Sequence, residues 1–402
     1  MSTLAFLPSL ILYLLGGYIL LNVLYLLFFS LAGHKQQAAL PAAPATAPRR
    51  FCVLMPAYHA DSVIQETGPL AALHQYAGKA DVVVIADGLQ PDTVSGLRQQ
   101  GVQVVEVNFV KSTKGKALLA ALDALPKERY DVAVILDVDN VMDAGFLAQV
   151  NDAFAAGYRV VQGHRTAKNL DSPFAVLDAC NEEINNHIFR QGHASLGMSS
   201  ALIGSAMAFE YDYLHALLQD IGDTPGEDKE LDFRVLRDEV KIAYLPKAYV
   251  YDEKIPNSKV FATQRTRWLA TQQEFLVKYF GEGLRQFVKG NLDFFDKILQ
   301  SMLLPRILLL GVLGALIGLS LVWHAGPPTS WWLVLLAGTA AALLLALPKR
   351  LYTKQVGSAV LHLPIALGAM LLALLHIKKA KTSFMPTPHA SSTTGRPFTP
   401  QH

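Results

Sequence analysis

Residues 1–33 carry no charged side chain. A helix needs about 20 apolar residues to cross a bilayer core, and this stretch exceeds that length. A cleaved signal peptide would have an apolar run of only about 7–15 residues behind a basic start. The opening MSTLAFLPSL has no basic residue. The stretch is therefore expected to be an uncleaved transmembrane helix. His34, Lys35, Arg49 and Arg50 follow it. The excess of positive charge inside puts the next segment in the cytoplasm and the N-terminus outside.

The C-terminal third repeats the signal. Residues 307–323 and 331–347 read as two spans joined by the turn HAGPPTS, and the basic KRLYTK (349–354) reads as cytoplasmic. Residues 356–377 form a third apolar stretch. A full crossing there would carry KKAK (378–381) outside, against the charge rule. A re-entrant or interfacial segment would not. The charge pattern leaves both open.

Apolar residues make up 51% of the chain, high for a purely soluble protein. The formal net charge of +2 gives no basic surplus to attract nucleic acid. Cys52 and Cys180 share no spacing motif. They read as small buried residues in a reducing compartment rather than as a disulfide or a thiolate metal site.

Between the apolar ends the pattern changes. QQAALPAAPATAPRR (36–50) is an Ala/Pro-rich, semi-stiff linker. From residue 51, short apolar runs alternate with helical patterns: FCVLM, DVVVIAD, VQVVEV, KGKALLAALDAL and VAVILD. Strands alternating with helices predict a mostly parallel sheet. Such sheets bind ligands beyond the carboxyl ends of their strands. The polar residues there are Tyr58, Asp87, Asp137 and Asp139.

Asp137 and Asp139 follow a run of five apolar residues. Two adjacent oxygen donors suit Mg²⁺ or Mn²⁺, which share their shell with substrate phosphates. An acidic turn after a strand would look the same. Asp228, in GEDKELDFRVLRDE (226–239), could serve as a general base. Acids at a helix N-terminus also follow from the helix dipole alone, which accounts equally for Glu227 and Asp228. Gln264, Arg267 and Trp268 share one helical face. They offer a guanidinium fork for phosphate and a flat surface for a sugar. An interfacial helix near a membrane would carry Arg and Trp too. KSTKGKALLAAL (111–122) puts a turn before a helix, where backbone amides and Lys114 or Lys116 could meet phosphate; the Walker spacing is absent, and a solvated basic turn would look the same. The Gly-containing segment LIGSAMAFEYDYL (202–214) reads as a strand, either walling a sugar pocket or packed in the core. Leu284, Phe287, Val288, Leu292, Phe295, Ile298 and Leu299 recur at helical spacing among Arg285, Lys289 and Lys297, as in a helix lying on a membrane surface.

Together these segments resemble the membrane-embedded family 2 glycosyltransferases, such as cellulose, hyaluronan and poly-N-acetylglucosamine synthases. The markers occur in the family's order: Pro56-Ala57-Tyr58 as a turn after the first strand, Asp87, Asp137-Val138-Asp139, Glu227-Asp228 and Gln264-Arg265-Thr266-Arg267-Trp268. The resemblance implies an α/β GT-A domain, Rossmann-like and cytoplasmic, flanked by transmembrane helices. It implies that Tyr58 and Asp87 contact uridine. Asp137 and Asp139 would hold nucleotide and metal, Asp228 would take the acceptor proton, and Gln264, Arg267 and Trp268 would border diphosphate and acceptor sugar. One departure stands out. The family usually has Asn and two acids after Pro-Ala, where this chain has His59, Ala60 and Asp61. Either Asp61 substitutes in assisting the nucleotide, or the donor pose differs. The tail KTSFMPTPH resembles one that is cytoplasmic in these synthases.

The expected organisation is a transmembrane helix (1–33), a linker (34–50), a GT-A domain (51–282), an amphipathic interfacial helix (283–302), a transmembrane region of two or three segments (303–377) and a tail (378–402). The expected activity is inverting, metal-dependent transfer of a sugar, UDP-linked by resemblance, to a growing polysaccharide or lipid-linked acceptor. Single addition to a glycolipid is the alternative, and a silent sugar-nucleotide sensor or scaffold a third. The expected setting is multi-pass in an inner or plasma membrane, with a second copy or an export partner if the product is translocated.

Overall fold

The computed structural model describes residues 3–41, 47–224, 226–254, 258–323 and 325–375, with backbone alone at 3–5, 127, 258–263, 265–267 and 373–375. Its centre is a mixed sheet of eight strands: β1 (Phe51–Tyr58), β2 (Ala80–Asp87), β3 (Gln103–Val107), β4 (Val132–Ile135), β5 (Val141–Met142), β6 (Val160–Ala167), β7 (Met207–Glu210) and β8 (Ile242–Asp252). They lie in the order β3-β2-β1-β4-β7-β6-β8-β5. β1 to β4 run parallel, β7 is antiparallel to both β4 and β6, β6 and β8 are parallel, and β5 is antiparallel to β8. Most strands therefore point one way, as the alternating pattern predicts. The first four gather their carboxyl ends along one edge.

The central strands β1, β2 and β4 are apolar along most of their length because helices cover both faces. On one face Cys52, Leu54, Val83, Ile85, Ala133 and Ile135 pack with the helix Lys114–Ala124 and with Phe233 and Phe275. On the other, Phe51, Val53, Met55, Val82, Val84, Val132 and Val134 pack with Ile64, Leu97 and Phe146. The alternation along each strand is the two-residue period of a pleated sheet. Both cysteines are free and buried, and burial pushes the Cys180 thiol up to about 11.

Pro56-Ala57-Tyr58 is not a turn. It is the last part of β1, paired Pro56 to Ile85, Ala57 to Ala86 and Tyr58 to Asp87. Pairing of β1 with β4 stops at Leu54. The N–H that Pro56 lacks thus removes no ladder bond on that side.

Among the described residues, two helices are long and apolar enough to cross a membrane, Phe6–Ala32 and Thr329–Ala346. Two bent pairs reach that standard only jointly: Leu292–Met302 with Arg306–Val322, bent by 52°, and Lys354–Val360 with Leu363–Leu372, bent by 44°. Ile19, Val23, Leu26 and Phe29 pack on Leu309, Leu313, Trp332 and Leu335. Gly338 lets the first helix approach closely, since a Cβ there would lie 2.8 Å from Val23. Outward, Phe6, Leu10, Leu14, Leu21, Leu24, Phe28, Leu333 and Val334 are exposed. The stretch 356–377 is broken rather than one straight helix. Its last residues, KKAK and the tail lie outside the described residues.

The amphipathic run 283–302 is likewise not one helix. The helix Ser258–Val288 ends there, and Leu292–Met302 begins after Gly290 at φ +88°. Asn291 caps the new helix by accepting the amide of Phe294 at 3.1 Å. Ile298 turns into the core, while Leu284, Phe287, Val288, Leu292 and Leu299 stay exposed.

Candidate active site

Above the carboxyl ends of β1, β2 and β4 the chain brings together residues from six segments. Asp87 closes β2, is buried, and accepts the hydroxyl of Ser112. Tyr58 lies beside it in register. After β4 the chain turns sharply, with the Asp137 amide donating to the side chain of Asn140 at 3.2 Å. Asp139 is 2% exposed and accepts the Glu253 amide at 2.9 Å.

Lys114 begins the helix Lys114–Ala124, which Thr113 caps by accepting the Lys116 amide. Its ammonium donates to Asp137 and, at 2.6 Å, to the carbonyl of Gly204, with Glu227 3.9 Å away. Gly204 takes φ +86°, a conformation that favours glycine, in the loop before β7. That loop comes from the segment 202–214, of which only Met207–Glu210 is strand. Burial alone would lower the Lys114 pKa, but Asp137 and Glu227 outweigh it and hold the ammonium above its usual value. Burial pushes the Glu227 carboxyl up to about 7, against Lys114, and Asp228 adds to the rise.

Glu227 and Asp228 open the helix Glu227–Arg237. Asp228 accepts the Lys229 amide at 2.8 Å, as an acid in a first turn does. Its carboxylate also borders Gly204, whose added Cβ would lie 3.5 Å from Oδ2. The base candidate therefore faces the loop that Lys114 bonds.

The expected residues divide. Asp87, Lys114, Asp137, Asp139, Glu227 and Asp228 converge on this edge, with Pro56, Ala57 and Tyr58 supplying the end of β1. Lys116 points elsewhere, to Asp223 and the carbonyl of Lys111. Asp61 accepts the Gln90 amide at 2.7 Å and so fixes the turn after β2. Gln264 and Trp268 lie on the helix Ser258–Val288, and the Arg267 side chain lies outside the described residues. That helix is set by a close approach, since a Cβ on Gly226 would lie 2.4 Å from the Thr271 methyl. The buried Oε1 of Gln264 has no hydrogen-bond partner, so the side chain keeps an acceptor to offer.

Beneath the Asp137 loop lies a charge network that the motifs do not announce. Arg165 on β6 donates to Glu182 at 2.6 Å and stands 3.6 Å from Asp137 and 3.8 Å from Asp252. Lys254, 1% exposed at its side chain, pairs with Glu182 and with Asp252 at 2.7 Å. Asn140 donates to Asp252 at 3.0 Å. Burial would raise the Glu182 pKa, but Arg165 and Lys254 hold it down to about 2. Glu183 next to it is also held down to about 2; against burial, His164 and Arg350 stabilise its anion.

Among the described residues no three or more His, Cys, Asp or Glu converge as a ready-made metal cage. Asp137 and Asp139 remain an all-oxygen pair at the sheet edge, and each carboxylate oxygen carries two lone pairs. That donor set fits a hard divalent ion completing its shell with water and phosphate.

The profile of the family described as "Glycosyltransferase like family 2" matches residues 48–271. No curated protein matches the chain significantly. Among solved structures, a mannosyltransferase from Pyrobaculum calidifontis, in complex with GDP-mannose and Mn²⁺, is 18% identical. The match covers 90% of this chain and 99% of that one, with a TM-score of 0.53. Glucosyl-3-phosphoglycerate synthase from Mycobacterium tuberculosis, with Mn²⁺, UDP and its product, is 19% identical over 58% of this chain and 86% of that one, with a TM-score of 0.38.

Proposed function

The chain belongs to glycosyltransferase-like family 2 and is a sugar transferase, and from that premise we propose an inverting, metal-dependent transfer at a membrane. The donor is a nucleoside diphosphate sugar. The acceptor is a growing polysaccharide or a lipid-linked sugar. The observation that carries this reading is the meeting of Asp87, Asp137, Lys114 and the Glu227–Asp228 pair at one strand edge.

Asp87 and Tyr58, side by side at the ends of β2 and β1, are assigned to the nucleoside. Asp137 and Asp139 would hold Mg²⁺ or Mn²⁺ together with the donor phosphates. When bound, the ion supplies Lewis-acid stabilisation of the departing diphosphate. Lys114 adds a mobile cation at the same place. Asp228 takes the proton of an acceptor hydroxyl as its oxygen bonds the anomeric carbon. The bond from that carbon to the phosphate oxygen breaks, and the diphosphate leaves with the electron pair. One base and one displacement invert the configuration. Trp268, Gln264 and Arg267 are assigned to the acceptor sugar and diphosphate.

The apolar helices support a multi-pass anchor with the catalytic domain in the cytoplasm. The exposed ridge of Leu284, Phe287, Val288 and Leu292 supports contact with the lipid interface.

The test is release of nucleoside diphosphate by purified, detergent-solubilised protein. The panel includes UDP-sugars and, given the mannosyltransferase likeness, GDP-mannose. Release with one sugar in Mn²⁺ or Mg²⁺, lost with EDTA and in Asp139→Ala, is expected. Metal-independent release would overturn the metal assignment.

A further inference from the structure

Asp137 faces two cations of its own protein. Lys114 bonds its Oδ1, and Arg165 stands 3.6 Å from its Oδ2. The Lys114 ammonium is also bonded to the Gly204 carbonyl at 2.6 Å and lies 3.9 Å from Glu227. Three oxygens from three separate segments thus surround one positive centre. This is the kind of shell a divalent ion seeks, built here around an ammonium. A second cation bonding the same carboxylate oxygen would be repelled at that range. The other carboxylate is already oriented, since Asp139 accepts the Glu253 amide.

We propose that Lys114 occupies the cation's seat at Asp137 in the donor-free enzyme, and that the metal enters only with a nucleoside diphosphate whose phosphates draw the lysine away. This rests on the glycosyltransferase reading above. Lys114 has the means to move, with a flexible four-carbon stem. Its helix begins at this point, so the phosphates would meet backbone amides there as well as the ammonium. The consequence is ordered loading. Free metal binds weakly, and metal with diphosphate binds more tightly. Binding energies of the two become coupled through one side chain.

The experiment is calorimetric titration of Mn²⁺ into the full, detergent-solubilised chain, alone and with saturating UDP or GDP. Wild type should bind Mn²⁺ weakly alone and about tenfold or more tightly with one diphosphate, a change of about 1.4 kcal/mol or more. In Lys114→Met, Mn²⁺ alone should bind about tenfold tighter than in wild type, and the gain from diphosphate should shrink. Lys114→Arg keeps a cation at the seat and should resemble wild type. If Lys114→Met melts early, Lys114→Gln, which keeps an N–H donor without charge, carries the same expectation. Unchanged or weaker Mn²⁺ binding in the neutral variants, with diphosphate-linked binding intact in wild type, would overturn the proposal alone. No Mn²⁺ binding by wild type with either diphosphate would overturn the metal-dependent reading and this proposal with it.

Discussion

The guanidinium of Arg165 stands 3.6 Å from the carboxylate of Asp137 and bonds Glu182 at 2.6 Å. One side chain therefore ties the loop assigned to the donor phosphates to a buried charge floor. Glu182 is the only anion bonded by both Arg165 and Lys254 within hydrogen-bond distance among the described residues. Glu182→Gln would leave Lys254 with Asp252, and Arg165 with Asp137 and Asp252, as the nearest compensation. Breaking a buried pair costs about 3–5 kcal/mol. A thermal melt should show a clear drop in midpoint, and an unchanged midpoint would mean that Asp137 and Asp252 suffice.

The same floor sets an acid limit. Glu182 and Glu183 are held down to about 2 in the folded protein, from an ordinary value of 4.5. Each therefore binds its proton more readily when unfolded. Their contribution is complete above the ordinary value and is lost as pH falls from there through 2. The midpoint of wild type should fall over that window, and Glu182→Gln should show a shallower fall.

Glu227 has the opposite sign. Its carboxyl is pushed up to about 7, so its ionisation in the fold works against burial. Stability should decline as pH rises from about 4.5 through about 7. Glu227→Gln should flatten that decline, as read by the midpoint in a series of buffers.

Asp228 is the residue assigned to proton removal. Asp228→Asn keeps shape and the acceptor oxygen for the Lys229 amide while removing basicity. Turnover should fall by about 10²–10⁴, the usual share of a general base. Nucleotide binding should be nearly unchanged by calorimetry. Undiminished turnover would remove Asp228 from that role.

Gly226 carries the contact between the helix that starts with Glu227 and the helix that bears Trp268. In Gly226→Ala the new Cβ would meet the stiff, β-branched Thr271. Overpacking of this kind costs about 1–3 kcal/mol. A lower midpoint should accompany a raised acceptor KM, with donor binding spared.

Much of the site was legible because strand edges announce themselves. Asp87 and Asp137 end apolar runs, and the edge of a parallel sheet is where such residues meet. The Arg165 floor was not legible. Its partners come from β6, from the helix Pro173–Asn185 and from the end of β8, and only the folded chain brings them together. Lys116 illustrates a different miss. Two residues along a helix turn a side chain by about 200°, so Lys114 and Lys116 could not both face Asp137. The amphipathic run 283–302 looks like one helix in sequence because its apolar spacing continues across Gly290. Periodicity does not register a left-handed residue that changes the chain's direction.

Arg350 reaches from the turn after the helix Thr329–Ala346 to Glu183 at 2.6 Å and to Thr166 on β6 at 3.2 Å. Gln355 from the same region bonds the carbonyl of Leu170. The C-terminal helices therefore furnish part of the catalytic domain's own interior neutrality. A version trimmed to the sheet and its helices, made to ease expression, would leave Glu183 short of a counter-ion beside the Arg165 floor. The C-terminal helices and the sheet domain are joined electrostatically as well as by the chain, so trimming would weaken the fold.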